Sequence, residues 1–187
     1  MPYTSSSPPQ WSKKKSKAVQ KVAIDVFNET FDKTGSESKA RRASLSAMKN
    51  AETSFSKSKL IQKSLNEEKR LATFIVLEPQ DDDGNTTDLH SDWYDENTIL
   101  DACIEFNKSM HLRKGNLYHA TDTDGYTFLE SYVLPADMEL GDRIIKAGSW
   151  MMTLAFNSDW QWSAVKNGTF NGVSVQCDGV IEDITTD

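Results

Sequence analysis

At Leu71 the spacing of apolar residues changes, and the charge of the chain changes sign at the same place. Upstream, Ala18, Val19, Val22, Ala23, Val26, Phe27 and Phe31 recur at three- and four-residue steps, which predicts a helix. Gly35-Ser36 interrupts that pattern. Ala40, Ala43, Ala47, Ala51 and Phe55, with Leu45 and Met48 beside them, then predict a second helix. Its small residues suit close approach to the first. Residues 57–70 carry Leu60, Ile61 and Leu65 among charges and read as a helical arm. Residues 1–17, with Pro8-Pro9 and Lys13-Lys14-Lys15, are expected to form a mobile or loosely docked lead.

Residues 1–70 hold 15 Lys/Arg against 7 Asp/Glu, a balance of +8; residues 71–187 hold 6 against 21, a balance of -15. Such a division suggests a change of role. The basic part can meet an acidic partner, a nucleic acid or the acidic part of its own chain. The balance argues against wholesale nucleic-acid binding by residues 71–187, so nucleic acid is open as a partner only through the basic N-terminal region. No stretch approaches the ~18 apolar residues of a membrane span, so no membrane partner is expected. The opening Met1-Pro-Tyr-Thr-Ser lacks the apolar core of a secretory signal. Two cysteines, Cys103 and Cys177, make no disulfide framework and no zinc spacing, which favours a reducing compartment.

From Leu71 the texture is that of strands. Leu71–Glu78 is β-rich and ends at Pro79, before the acidic turn Asp81-Asp82-Asp83-Gly84. Asp92 is a candidate cap for a helix with Ile99, Ala102, Cys103, Phe106 and Met110 inside and Gly115 as its stop. Strands are expected at Asn116–His119, Tyr126–Val133, Arg143–Lys146 and Ser149–Phe156. A short helix, Trp160–Asn167, ends at Gly168; Phe170–Gln176 and Val180–Ile184 read as closing strands. The expected fold class is α+β. A mobile lead (1–17) and a small basic helical region (18–70) precede a compact, barrel-like sheet domain with flanking helices (71–187).

Three residues stand out chemically. His119 ends an expected strand beside a loop, a place from which an imidazole can face a groove as a general base or be a hydrogen-bonded strand end. His90, in the acidic loop, and His111, at a helix end, read as solvated. Ser174 lies in Gly172-Val-Ser-Val-Gln176, where alternation sets it opposite Val173 and Val175, and Gly172 permits close backbone approach. Glu130 sits mid-strand among apolar neighbours, where a carboxylate needs a partner such as a histidine or Arg143; a structural ion pair and an orienting role are both open. The Asp81–Asn85 run lacks the ligand spacing of an EF-hand. Trp150, Trp160 and Trp162 read as core. Cys177 has no basic neighbour in sequence to activate it. No phosphate loop or GxSxG elbow is present, and no cofactor is implied.

Several segments occur together in a recognisable order. They are Phe74-Ile-Val-Leu-Glu-Pro79 with its Asp/Gly turn, His119, Leu129-Glu-Ser-Tyr-Val-Leu-Pro-Ala-Asp137, Ile145-Lys-Ala-Gly-Ser-Trp-Met151, Trp162-Ser-Ala-Val-Lys-Asn-Gly168 and Phe170-Asn-Gly-Val-Ser-Val175. From Arg70 to about Asp183 the chain resembles the XkdF-like phage serine proteases, relatives of the prohead-maturation proteases. The resemblance implies a β-barrel flanked by helices and a Ser–His centre. It places the nucleophile on Ser174, the base on His119 and the third member on Glu130, with Asp122 and Asp124 behind it. It further implies action on phage scaffold and capsid proteins, and on the protease itself, inside the assembling prohead in the host cytoplasm. Two features depart from the family pattern: Val175-Gln-Cys-Asp178 stands where a glycine-rich stretch is usual, and Tyr118-His-Ala-Thr-Asp-Thr-Asp124 is idiosyncratic. They motivate the other class of function, a non-catalytic phage scaffold or interaction protein on a degenerate protease fold. The first 55 or so residues are faintly similar to the small ChaB-like domain, through Met1-Pro-Tyr-Thr-Ser, Val26-Phe27-Asn28 and Arg42–Lys49.

Overall fold

The computed structural model describes residues 3–57, 64–66, 69–80, 92–140 and 143–175. The helical hairpin forms as its spacing predicts. Ser16 caps α1 (Lys17–Thr34) by accepting the Val19 N–H, and Gly35, at φ 62°, ends it in the left-handed conformation that glycine adopts without strain. α2 (Glu37–Lys57) then folds back on α1. Val22 and Val26 pack against Ala43, Ala47 and Ala51, while Val19 and Ala23 meet Met48. Alanines on the facing side let the two backbones approach closely, so there is little room for larger residues.

Residues 3–16 dock on the helical hairpin, one of the two states that composition leaves open. Tyr3 and Asn28 exchange two hydrogen bonds of 2.9 Å. The rings of Tyr3, Trp11 and Phe27 stack edge-on and tilted at 4.8–5.8 Å. Trp11 Nε1 donates to the buried Ser44 hydroxyl, which itself donates to the Ala23 carbonyl at 2.8 Å. Two aromatic side chains thus hold a segment whose Ser, Pro and Lys content hides them.

The rest of the chain runs β1 (Ser64–Asn66), β2 (Leu71–Leu77), α3 (Glu96–Ser109), β3 (Gly115–Leu117), β4 (Thr121–Thr123), β5 (Tyr126–Val133), β6 (Met138–Leu140), β7 (Arg143–Ile145), β8 (Trp150–Phe156) and α4 (Asp159–Lys166). The fold is α+β. Its sheet is open: an antiparallel β1-β2-β8-β5 order, with β3-β4 and β6-β7 as separate two-stranded hairpins. Among the described residues no strand joins the outer strands β1 and β5, so the expected barrel closure is absent there. β8 lies inside the sheet and is buried along nearly its whole length. Trp150, Met152, Leu154 and Phe156 face α3 and α4, meeting Phe74, Ile99, Cys103, Trp162 and Val165. Met151 faces the other way, with Ile75, Leu134 and Ile145.

Local geometry moves several expected boundaries. The arm expected as helix over 57–70 includes β1, which pairs with Leu71–Thr73; a turn at Lys69-Arg70, with Lys69 N–H on Asn66 Oδ1, folds it back. Asp95, not Asp92, caps α3 by accepting the Thr98 N–H at 2.6 Å. That helix stops at Ser109, short of Gly115, in one further 3-10 turn. Residues 171–175, expected as part of a strand, have no regular structure. The Asp81–Asn85 run, His90, Cys177 and the Val180–Ile184 strand lie outside the described residues. No described helix is long and apolar enough to cross a membrane.

The helical hairpin docks on the sheet domain through β3-β4. Leu117 joins the α1-α2 core, Thr30 bonds Thr121, and Lys33 donates to the Asp122 carbonyl at 2.8 Å. Gln161 of α4, fully buried, donates to Thr123 and to Glu29 of α1. A Cβ on Gly125 would sit 2.3 Å from the Gln161 amide, so a side chain there would displace that amide from Thr123 and Glu29.

The Asp95 cap has a pH signature. Hydrogen bonds from Thr98 hold its carboxyl below the ordinary value of 3.8. A lowered carboxylate stabilises the fold above its unfolded pKa, and the effect fades as pH falls through the folded pKa. Asp95→Ala is therefore expected to lower Tm at neutral pH. In thermal melts across pH the gap to the parent should close below about 3.8; a gap of constant size would refute the capping role.

Candidate active site

His119 sits in a tight turn of unusual chemistry. β3 and β4 pair as far as Leu117↔Thr121, and the Ala120 N–H closes on the Leu117 carbonyl at 2.9 Å. Of the three residues between, Tyr118–Ala120, the first two, Tyr118 and His119, have φ of 53° and 52°. That is the backbone of a type I′ hairpin turn, where Asn-Gly or Gly-Gly is the usual content. Two side chains there cost about 1–3 kcal/mol each.

Burial of Tyr118 offsets this strain. Its ring packs on the cluster of Val22, Val26, Ala43, Ala47 and Ala51, and meets Phe170 edge-on at 5.6 Å. Asn50 of α2 donates to the Tyr118 carbonyl at 2.7 Å, a bond worth about 1 kcal/mol. The Tyr118 hydroxyl is buried with no hydrogen-bond partner among the described residues. Burial first, and then the Asp25 carboxylate, push its ionisation far above the ordinary 10.0. Tyr118 therefore stays a neutral wedge and is no candidate base. His119, its neighbour, is exposed and lines a cleft between the turn and the α1-α2 hairpin.

Ser174 is exposed in the segment after α4. Val173 and Val175 on either side are half-buried against the main core. The alternation expected of a strand is thus present in the burial, without a ladder. Phe170 anchors this segment: its N–H bonds the Ala164 carbonyl at 2.9 Å, and its ring meets Trp160 as well as Tyr118. One ring pair, Tyr118 with Phe170, therefore joins the turn carrying His119 to the segment carrying Ser174.

Glu130 lies elsewhere. β5 slips register between Phe128 and Glu130, so Glu130 pairs with Thr153 and Ser131 with Met152. The extra residue turns Glu130 away from α3 and into solvent. Its carboxylate accepts from Thr153 Oγ1 at 2.8 Å, and Thr153 also meets Thr73. Arg143, offered by sequence as its partner, pairs with Glu78 instead. The slip places Ser131 toward α3, where it accepts from Trp150 Nε1 at 2.8 Å. Asp122 and Asp124 share the hairpin of His119; Asp124 lies 3.8 Å from Lys33, which also holds Glu29 at 3.2 Å.

Sequence reasoning missed Lys39 and Arg42, which line the cleft with His119. Their i, i+3 spacing places them on one face of α2, but nothing in sequence shows that the hairpin turn faces it. Cys103 is buried, and burial pushes its thiol up, away from nucleophilic character. Among the described residues no three His, Cys, Asp or Glu side chains gather at metal-binding spacing.

Comparison with known proteins bears on these elements. Residues 57–182 match the family described as "Putative phage serine protease XkdF". The "Phage-like element PBSX protein XkdF" of Bacillus subtilis (strain 168) is 30% identical over 119 residues, which are 64% of this chain and 40% of that protein. "Uncharacterized protein YqbD" of the same organism is 31% identical over 109 residues, 58% of this chain and 31% of that protein. The chain thus matches less than half the length of either relative. No solved structure matches. The ChaB-like likeness lies outside the family match, which begins at residue 57.

The strained turn makes a test. His119→Gly relieves one left-handed side chain and should raise stability by about 1 kcal/mol. Urea denaturation measures it; a loss of stability would show that the imidazole is a structural contact of the turn.

Proposed function

The chain belongs to the family described as "Putative phage serine protease XkdF", and from that premise we propose that its sheet domain is a serine peptidase of the prohead-maturation type. In this reading Ser174 Oγ attacks the scissile carbonyl while His119 takes its proton. The tetrahedral species collapses to an acyl-enzyme as His119 returns the proton to the leaving amine, and water then releases the acyl group. The observation that carries the reading is the Tyr118–Phe170 contact, because it draws together two segments far apart in sequence, each presenting an exposed residue of the right chemistry.

The third member is proposed as Glu130, with Asp122 and Asp124, on the histidine's own hairpin, as the alternatives. An orienting carboxylate selects the imidazole tautomer. The proposed substrates are phage scaffold and capsid-protein segments, and the chain itself, within the assembling prohead in the host cytoplasm. A role for residues 1–70 in nucleic-acid contact is a further part of this proposal, resting on their +8 balance.

A second reading, a non-catalytic scaffold protein on the same fold, is favoured by one observation. Ser174 lies in a segment without regular structure, and Val175 follows it where the family pattern has glycine. A nucleophile needs a fixed backbone to line its oxyanion site.

Coexpression with a candidate capsid protein, followed by mass spectrometry of the termini, separates the two. Ser174→Ala should abolish processing with an unchanged thermal midpoint; wild-type processing by the variant would eliminate the assignment. Glu130→Gln should lower the rate by an order of magnitude or more if the carboxylate orients His119. If Thr153 is its whole role, Tm falls slightly and the rate stays, and Asp122→Asn or Asp124→Asn carries the loss instead.

A further inference from the structure

The cleft bounded by α1, α2 and the Tyr118–His119 turn has a volume of about 320 Å³ and a one-sided charge. Lys39 and Arg42 enter it from α2, with Ser46 one turn beyond; Thr30 and Thr34 line the α1 side. Among the described residues no carboxylate lines it. Glu29 of α1 and Asp124 of the β4-β5 turn lie within 3.2 and 3.8 Å of Lys33. Among the described residues neither Lys39 nor Arg42 forms a salt bridge. The threonine hydroxyls are already donated, Thr30 to Thr121 and Thr34 to the Thr30 carbonyl. The cleft therefore offers two cations and the Ser46 hydroxyl beside an imidazole held by a strained turn. Strain retained at such a place is characteristic of functional sites.

We propose that this cleft receives the carboxylate of an acidic side chain in a peptide substrate. This deepens the peptidase reading and rests on it: the acidic residue would sit on the α2 side of His119, next to the bond being cut. The Arg42 guanidinium can take a carboxylate through two parallel hydrogen bonds, and Lys39 adds a point charge. The lining favours a peptide over single-stranded nucleic acid, because among the described residues it has no Phe, Tyr or Trp on which bases would stack.

The test uses the full chain carrying Ser174→Ala, so that bound peptide stays intact. Two short fluorescein-labelled peptides, identical except for one Glu replaced by Gln, are titrated by anisotropy. The Glu peptide should bind about tenfold more tightly, the worth of one charge-assisted hydrogen bond. Arg42→Glu and Lys39→Glu should each remove that preference. Lys108→Glu, a charge change on α3, should leave it. Thermal melts check folding, and Arg42→Gln replaces Arg42→Glu if the latter does not fold. Equal affinity for the two peptides, binding of neither, or stronger capture of a labelled oligonucleotide through Arg42 would overturn the proposal. Cleavage of the same peptides by the chain with Ser174 intact is read in parallel. Cleavage without a Glu preference removes the cleft's role and leaves the peptidase; a preference without cleavage upholds the cleft and removes the peptidase.

Discussion

The Tyr118 ring is the contact on which the candidate site depends. It is packed against the valine and alanine faces of α1 and α2 on one side and Phe170 on the other. Its carbonyl is held by Asn50. Without that burial, a hairpin turn with two side chains in the left-handed region would relax or widen. With it, His119 is fixed at the rim of a cleft. The same ring sets the position of the segment leading to Ser174. One apolar contact thus couples three parts of the chain: the basic helices, the β3-β4 hairpin and the stretch after α4.

This changes the meaning of the N-terminal helices. Their charge sets them apart from the acidic remainder, which suggests a separate module. The structure joins them to it through Leu117, Thr30–Thr121, Lys33 and the buried Gln161–Glu29 bond. The helices form one wall of the cleft and contribute its cations. The family match, starting at residue 57, leaves that wall almost entirely outside it. The segment shared with relatives and the cationic wall of the cleft thus come from different parts of the chain.

What could be read in sequence follows from the range of each signal. α1, α2, β2, β5, β8 and α4 were legible because periodicity, caps and breakers are local. The small-residue face of α2 correctly announced a close partner. The order of the strands was not legible, since pairing of β2 with β8 joins residues some eighty positions apart. Nor was the slip at Leu129: strict alternation puts Glu130 on the face of Phe128, and one extra residue reverses it. Trp11 and Tyr3 looked like an unstructured lead because their partners, Ser44, Phe27 and Asn28, come from elsewhere. The sequence points to His119 as a strand-end imidazole, whereas β3 ends at Leu117 and His119 lies in the turn beyond it. Its left-handed backbone had no local signal, because Tyr-His carries none of the turn chemistry that Gly or Asn would.

The central claim is that Ser174 is a nucleophile activated by His119. A fluorophosphonate probe, which phosphonylates activated serines and spares ordinary ones, tests it most directly when the adduct is mapped by mass spectrometry. The account predicts an adduct on Ser174 in the parent chain and none in His119→Ala. No adduct at Ser174 in folded protein, or one that persists undiminished without His119, would contradict it.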